Sequence, residues 1–251
     1  MEAVPRHCST PDYGRRVDIG ALVFDVFGTV VDWRSGVARD VSRLLGPDVD
    51  AGALADAWRG RYLPSMDRVR RGERPWAVLD DLHRESLDEL LAEFGGPDVD
   101  RPTRDELVLA WHRLDPWPDV VAGLARLRVR HVLAPLSNGN VSLLVDLARH
   151  GGLGWDAVLS AELFEHYKPD AEVYDGAARL LGLPPERVLM VAAHVDDLAA
   201  ARSRGLRTAY VHRPDEHGPA DPPPATDPEA DLSVGSFTEL ADHLHSWGRS
   251  R

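Results

Sequence analysis

The segment Leu22-Val-Phe-Asp25-Val-Phe27-Gly-Thr29-Val-Val-Asp32-Trp33 constrains this chain more than any other stretch. It is a short apolar run that ends on a carboxylate and turns at a glycine. A buried strand of this kind delivers an Asp to the edge of a sheet, where a carboxylate can attack carbon or phosphorus and form a covalent ester. The structural alternative for Asp25 is a turn or helix-capping residue. The residue two positions on is Phe27, an apolar side chain that cannot donate a proton.

The period of the apolar residues changes along the chain. Residues 18–33 read as strand then turn, and residues 35 to about 115 as helices only. Val37, Val41, Leu44 and Leu45 share one helical face, and Leu54, Ala57 and Trp58 mark a second helix. Val78, Leu79, Leu82, Leu87, Leu90, Leu91 and Phe94 give a long third. Thr103-Arg-Asp-Glu106 matches a capping box opening a fourth, with Leu107, Ala110, Trp111 and Leu114 on its face. From residue 120 strands and helices alternate. Strands are predicted at 131–137, 157–160, 187–192 and 207–211, and helices at 120–127, 141–149, 171–181, 197–204 and 238–247. Residues 213–231, rich in Pro, Asp and Glu, read as a surface loop.

That alternation predicts an α/β fold with a doubly wound parallel sheet. The helical block interrupts it after the first strand. Ligands of such sheets bind beyond the carboxyl ends of the strands, so the block is placed to cover them. Four strand ends deliver polar residues to that edge: Asp25, Gly28 and Thr29; Ser137, Asn138 and Gly139; Lys168-Pro169-Asp170; and His194, Asp196 and Asp197. One such group is weak evidence of an active site, and four at one edge are much stronger.

Charge and composition narrow the partners. The 251 residues carry 29 basic and 41 acidic side chains, a formal net charge of -12, which disfavours nucleic acid as a partner. Any small anion must be met by local cations. One cysteine, Cys8, permits no disulfide within the chain and fits a reducing compartment. No apolar stretch approaches the roughly 18–20 residues of a membrane span. The expectation is a cytoplasmic protein with a loose polar tail over residues 1–17.

Taken as a set, Asp-Val-Phe-Gly-Thr, Leu-Ser-Asn-Gly and Tyr-Lys-Pro-Asp, with Val-Tyr five and six residues past the Lys, resemble the haloacid dehalogenase superfamily. The closer resemblance is to its type II 2-haloacid dehalogenases, and it runs from about residue 18 onward. It implies a core of residues 18–33 and 116–251, with residues 34–115 as a helical cap domain. Asp25 matches the family nucleophile, which attacks C2 of a short 2-haloacid and displaces halide. Phosphatases of the superfamily place a general acid where Phe27 stands and a metal-binding Asp in the segment that here reads Val191-Ala-Ala193-His194. A halide leaves as an anion and needs no proton, so Phe27 and Ala193 together favour carbon–halogen chemistry with no cofactor and no functional magnesium site.

The resemblance assigns the remaining residues. Thr29 accompanies the nucleophile, and Lys168, the sole lysine, supports the Asp25 charge. Ser137 and Asn138 match residues that bind the substrate carboxylate and the halide. Arg59 matches the cap arginine that receives the halide, with Arg61 an alternative, and Tyr174 matches a tyrosine near the site. Trp33, Trp58 and Trp76 are expected to pack cap helices, with lining of the pocket as the alternative. His194 departs from the better-known pattern. With a near-neutral pKa it could act as base on the water that cleaves the ester, or it could be a hydrogen-bonded strand-end residue. Asp197 could orient that water or pair with Lys168. A Mg²⁺-dependent phosphatase, an enzyme for an unusual substrate, and a non-catalytic binding protein stay open, as does a homodimer.

Overall fold

A computed structural model describes residues 18–93, 99–218 and 223–247. The expected N-terminal tail and Phe94 lie outside them. Among the described residues, six parallel strands form one sheet in the order β3-β2-β1-β4-β5-β6. They are β1 Ala21–Phe24, β2 Val132–Ser137, β3 Leu159–Ser160, β4 Val188–Ala192, β5 Arg207–Val211 and β6 Leu232–Val234. The doubly wound α/β expectation therefore holds. The strand order reverses at β1, which pairs with β2 on one side and β4 on the other.

Every residue of β1 is buried, because helices cover both faces of the sheet. Alternate residues of each strand serve opposite faces. Leu22 and Phe24 join Leu133, Leu189 and Val191 in the larger core. That core includes α6 (Val120–Leu127), α7 (Val141–Gly151) and α10 (Phe237–Trp247). Val23 joins Ala134, Leu136, Met190 and Ala192 against α8 (Ala171–Leu181) and α9 (Val195–Ser203). At roughly 25 cal/mol per Å² of apolar area removed from water, these two layers are the main drive to fold.

Among the described residues, the elements between β1 and β2 are helices: α1 Trp33–Leu45, α2 Ala51–Gly60, α3 Tyr62–Arg70, α4 Leu79–Glu93 and α5 Arg101–Val108, then a 3₁₀ turn over Leu109–His112, then α6. Asp32 and Asp50 cap the first two through their carboxylates, which accept from Ser35 N and Ala53 N. Their apolar faces continue the larger core.

Three expectations need correction. Thr103 does not open α5. Asp100 is the N-cap, its carboxylate accepting from Thr103 N at 2.9 Å, and Pro102 sits in the first turn, where its missing N–H costs nothing. The helix α3 was not expected, because among its residues only Met66 is buried and the apolar period is weak. The 213–231 segment is not purely a surface loop, since it buries Arg213, Glu216 and Asp227.

Candidate active site

The carboxyl ends of β1, β2, β4 and β5 converge on Asp25. Its backbone N–H still donates to Val191 O at 3.0 Å, so the last ladder bond of β1 fixes its position. Both carboxylate oxygens are engaged. Oδ1 accepts from Lys168 Nζ at 2.8 Å. Oδ2 accepts from Thr29 Oγ1 at 2.7 Å and from His194 Nδ1 at 3.1 Å. Thr29 is itself pinned, its hydroxyl accepting from Ala193 N at 2.9 Å. Ala193 thus meets the site through its backbone, and its methyl group brings no ligand atom.

Lys168 lies between two carboxylates. Its ammonium donates to Asp25 and to Asp197, and its backbone N–H donates to Asn138 Oδ1 at 2.8 Å. Asp197 is held on its other oxygen by the Tyr174 hydroxyl at 2.6 Å. Burial alone pushes the Asp25 carboxyl up. The Lys168 charge and the His194 hydrogen bond and charge outweigh it and hold Asp25 well below the usual carboxylate range. Asp197 goes the other way, raised by burial and by the Asp25 charge. Burial pulls Lys168 down, but the two carboxylates raise it, so it stays charged. Asp25 is therefore ionised, buried and poised.

The 213–231 segment brings Glu216, a residue that sequence reasoning missed. Its carboxylate Oε1 accepts from His194 Nε2 at 3.0 Å and from Trp33 Nε1 at 3.2 Å. His194 thus bridges Asp25 and Glu216. Burial lowers its pKa, but the two carboxylates lift it to about 10, so the resting imidazole is charged rather than near neutral. Burial pushes Glu216 up, and His194 brings it below its ordinary value. The one sequence signal for Glu216 was its place after β5, a fifth strand end at the same edge.

Gly28 makes room for this arrangement. It adopts φ +85°, and a Cβ there would lie 2.0 Å from Glu216 Oε1. Arg213, two residues past the end of β5, braces the same turn. Its Nε donates to Thr29 O at 3.0 Å while its guanidinium pairs with Asp119.

The roof is aromatic. Phe27 meets Tyr62 and Trp111 edge-on, with ring centroids 6.2 and 5.8 Å away. Arg59 places its guanidinium 4.2 Å from the Tyr62 ring and 5.5 Å from the Trp33 ring, and its Nη1 is buried with no protein partner. Arg61 is tied instead to Glu93 at 2.6 and 2.8 Å. Trp58 packs as expected, donating to His83 O and Ser86 Oγ, and Trp76 packs on Tyr167. Trp33 does more, through its bond to Glu216. Ser137 is buried, and its hydroxyl accepts from Gly139 N at 3.2 Å. Asp196 is exposed. Among the described residues, no cluster of three or more His, Cys, Asp or Glu side chains is set to hold a metal ion.

A buried ionised Asp at the end of β1, a Lys from the third connection and a helical insertion between β1 and β2 are now joined by a sequence match. Residues 19–205 match the haloacid dehalogenase-like hydrolases. The chain belongs to that family. Among the relatives of this dehalogenase-like hydrolase is (S)-2-haloacid dehalogenase 4A of Burkholderia cepacia. It is 31% identical over 196 residues, covering 77% of this chain and 83% of the relative. The L-2-haloacid dehalogenase PA0810 superposes with a TM-score of 0.87 at 47% identity, covering 91% of this chain and 99% of that one. The L-2-haloacid dehalogenase of Xanthobacter autotrophicus, solved with chloropropionic acid covalently bound, superposes at 0.78 with 26% identity, over 92% and 100% of the two chains.

Proposed function

We propose that this hydrolase converts a short 2-haloalkanoic acid to the 2-hydroxy acid and halide, without a cofactor, through an ester on Asp25. The observation that carries this reading is the Asp25 carboxylate itself. It is buried and kept ionised by Lys168 and His194, and two residues on stands Phe27, an apolar side chain with no carboxyl to protonate a leaving oxygen. The site's fixed cation is Lys168 Nζ, already shared between Asp25 and Asp197.

In the first step an Asp25 oxygen attacks C2 from behind the carbon–halogen bond, and the halide leaves with the bonding pair. Configuration at C2 inverts. Arg59 and the Asn138 amide N–H groups receive the halide, since Asn138 Oδ1 is already spent on Lys168 N. Ser137 holds the substrate carboxylate. Residues 34–115 act as the cap, with Phe27, Tyr62 and Trp111 keeping water from the nucleophile.

The second step uses the His194–Glu216 pair. Esterification removes the Asp25 charge, one of the two that keep His194 protonated. His194 then releases its proton to solvent and becomes a base. It accepts a proton from water attacking the Asp25 carbonyl, the tetrahedral adduct collapses, and its hydroxyl proton goes to the departing alkoxide. Product 2-hydroxy acid, Asp25 carboxylate and charged His194 are regenerated, with one net proton released. Asp197, fixed by Lys168 and Tyr174, orients Lys168 throughout.

Chloride release from enantiomerically pure 2-chloropropionate in EDTA, beside phosphate release from phosphate esters with Mg²⁺, tests this reading. Chloride with lactate of inverted configuration is expected. Phosphate release without chloride release would overturn it.

A further inference from the structure

The helical insertion reaches the substrate-binding loop through one acidic residue. Asp80, in the first turn of α4, accepts from Asn140 Nδ2 at 2.8 Å. Asn140 is the N-cap of α7 and follows Ser137-Asn138-Gly139 directly. An Asn at that position ordinarily bonds a free N–H of its own helix. Asn140 does not: its side chain makes no capping bond, and the first N–H of α7, that of Val141, donates to Glu162 Oε2 instead. The amide is turned toward the insertion and toward Ser142 Oγ, at 2.8 Å. The buried residue has given up its local function to contact a distant element.

A histidine completes the cluster. His112, in the 3₁₀ turn after α5, is buried, and its Nε2 lies 3.1 and 3.2 Å from the two oxygens of Asp80. Its Nδ1 lies 2.8 Å from Asp146 Oδ2 on α7. Two carboxylates, one from the insertion and one from the core, thus face the two nitrogens of one imidazole. Both can accept only while both nitrogens carry protons. The charged groups that bear on His112 are Asp80 from α4 and Asp146 from α7; His83, also on α4, is the other titratable neighbour. Burial lowers the His112 pKa, but the carboxylates outweigh it and raise it. Burial holds His83 down at about 3, so it is neutral and leaves the Asp80–His112–Asp146 charges to balance among themselves.

We propose that Asp80 is a positioning residue: from the insertion it fixes the Ser137–Asn140 loop in the form that receives the substrate carboxylate, and His112 locks it there by bridging to Asp146. The role is distinct from a simple strut. The insertion also docks on the Lys168 connection, through Arg70 to Asp170 and through Tyr167 to Ala77 O, so overall attachment survives loss of Asp80. Asp80 supplies a hydrogen bond from the insertion to Asn140, beside that of the Tyr62 side chain to Asn138.

The inference rests on the haloacid reading for its substrate but not for its structural readout. The test uses the full chain with 2-chloropropionate and the variants Asp80→Ala and Asp80→Asn, together with an NMR titration of the His112 Cε1–H. Removing a charge-assisted hydrogen bond should raise KM about tenfold in Asp80→Ala, with kcat changed less than about twofold. Asp80→Asn, whose amide oxygen still accepts from Asn140, should keep KM within about twofold of wild type at neutral pH. His112 should titrate above an ordinary histidine in the wild type and at lower pH in Asp80→Asn. A lowered Tm with unchanged KM in Asp80→Ala would overturn the proposal, as would a His112 titration that does not move in Asp80→Asn. Absence of chloride release by the wild type would fault the haloacid reading instead, and the titration would still decide the link between Asp80 and His112.

Discussion

His194 Nε2 and Glu216 Oε1 lie 3.0 Å apart, joined across the ends of the neighbouring strands β4 and β5. The other nitrogen of the same ring meets Asp25 at 3.1 Å. The imidazole therefore changes its electrostatic surroundings when Asp25 is esterified, while Glu216 stays as it was.

Glu216→Gln keeps the shape and removes the charge. His194 should lose its remaining anionic partner during ester hydrolysis, and turnover should fall by about 100-fold or more. Because attack by Asp25 is not impaired by this change, the ester should accumulate. Mass spectrometry of the Asp25 peptide after mixing with 2-chloropropionate should find it, and an unmodified peptide in a slow variant would count against the role of Glu216.

Gly28→Ala should be damaging out of proportion to its size. The new methyl group would meet the Glu216 carboxylate, and the backbone would be held at positive φ. A stability loss of roughly 1–3 kcal/mol is expected in chemical denaturation, with activity reduced to the level of Glu216→Gln. Wild-type turnover in a folded Gly28→Ala protein would show that Glu216 is dispensable.

The His194 pairing also has a pH signature. Its folded pKa stands above the unfolded value of 6.5, at about 10. Its contribution to stability is therefore complete below about 6.5 and is lost as pH rises toward 10. The Tm difference between wild type and His194→Gln should be largest near pH 6 and shrink steadily toward pH 10. A constant difference over that range would mean that the resting imidazole is not charged.

Lys168→Met would leave Asp25 and Asp197 facing each other without their shared cation. One carboxyl should then retain a proton, so the acid limb of the rate profile should move to higher pH, and kcat should fall by about 10³-fold. A variant with reduced rate and an unmoved acid limb would limit Lys168 to substrate binding.

The site was legible in the sequence wherever a strand end announced it. Asp25, Thr29, Ser137, Asn138 and His194 follow short apolar runs, Lys168 lies on the connection after β3, and the alternation of strands with helices places those ends on one edge. Glu216 was hidden because it sits in an acidic, Pro-rich segment whose composition reads as solvated, and burial of one carboxylate there depends on the space left by Gly28, a tertiary relationship. The charge state of His194 was hidden for the same reason, since it follows from two carboxylates brought together by separate loops. Local capping competition decided α5: the Asp100 carboxylate together with Pro102 opened the helix ahead of Thr103. The edge strand β6 and the exposed helix α3 bury too little apolar surface to leave a period.

The central claim is that Asp25 itself supplies the oxygen of the product. A single turnover in ¹⁸O-labelled water, with enzyme in excess over 2-chloropropionate, tests this most directly. Water attacks the Asp25 carbonyl carbon, so the first lactate released should be unlabelled and the label should reside in the Asp25 carboxylate. Label in the first lactate, with none in Asp25, would contradict the account.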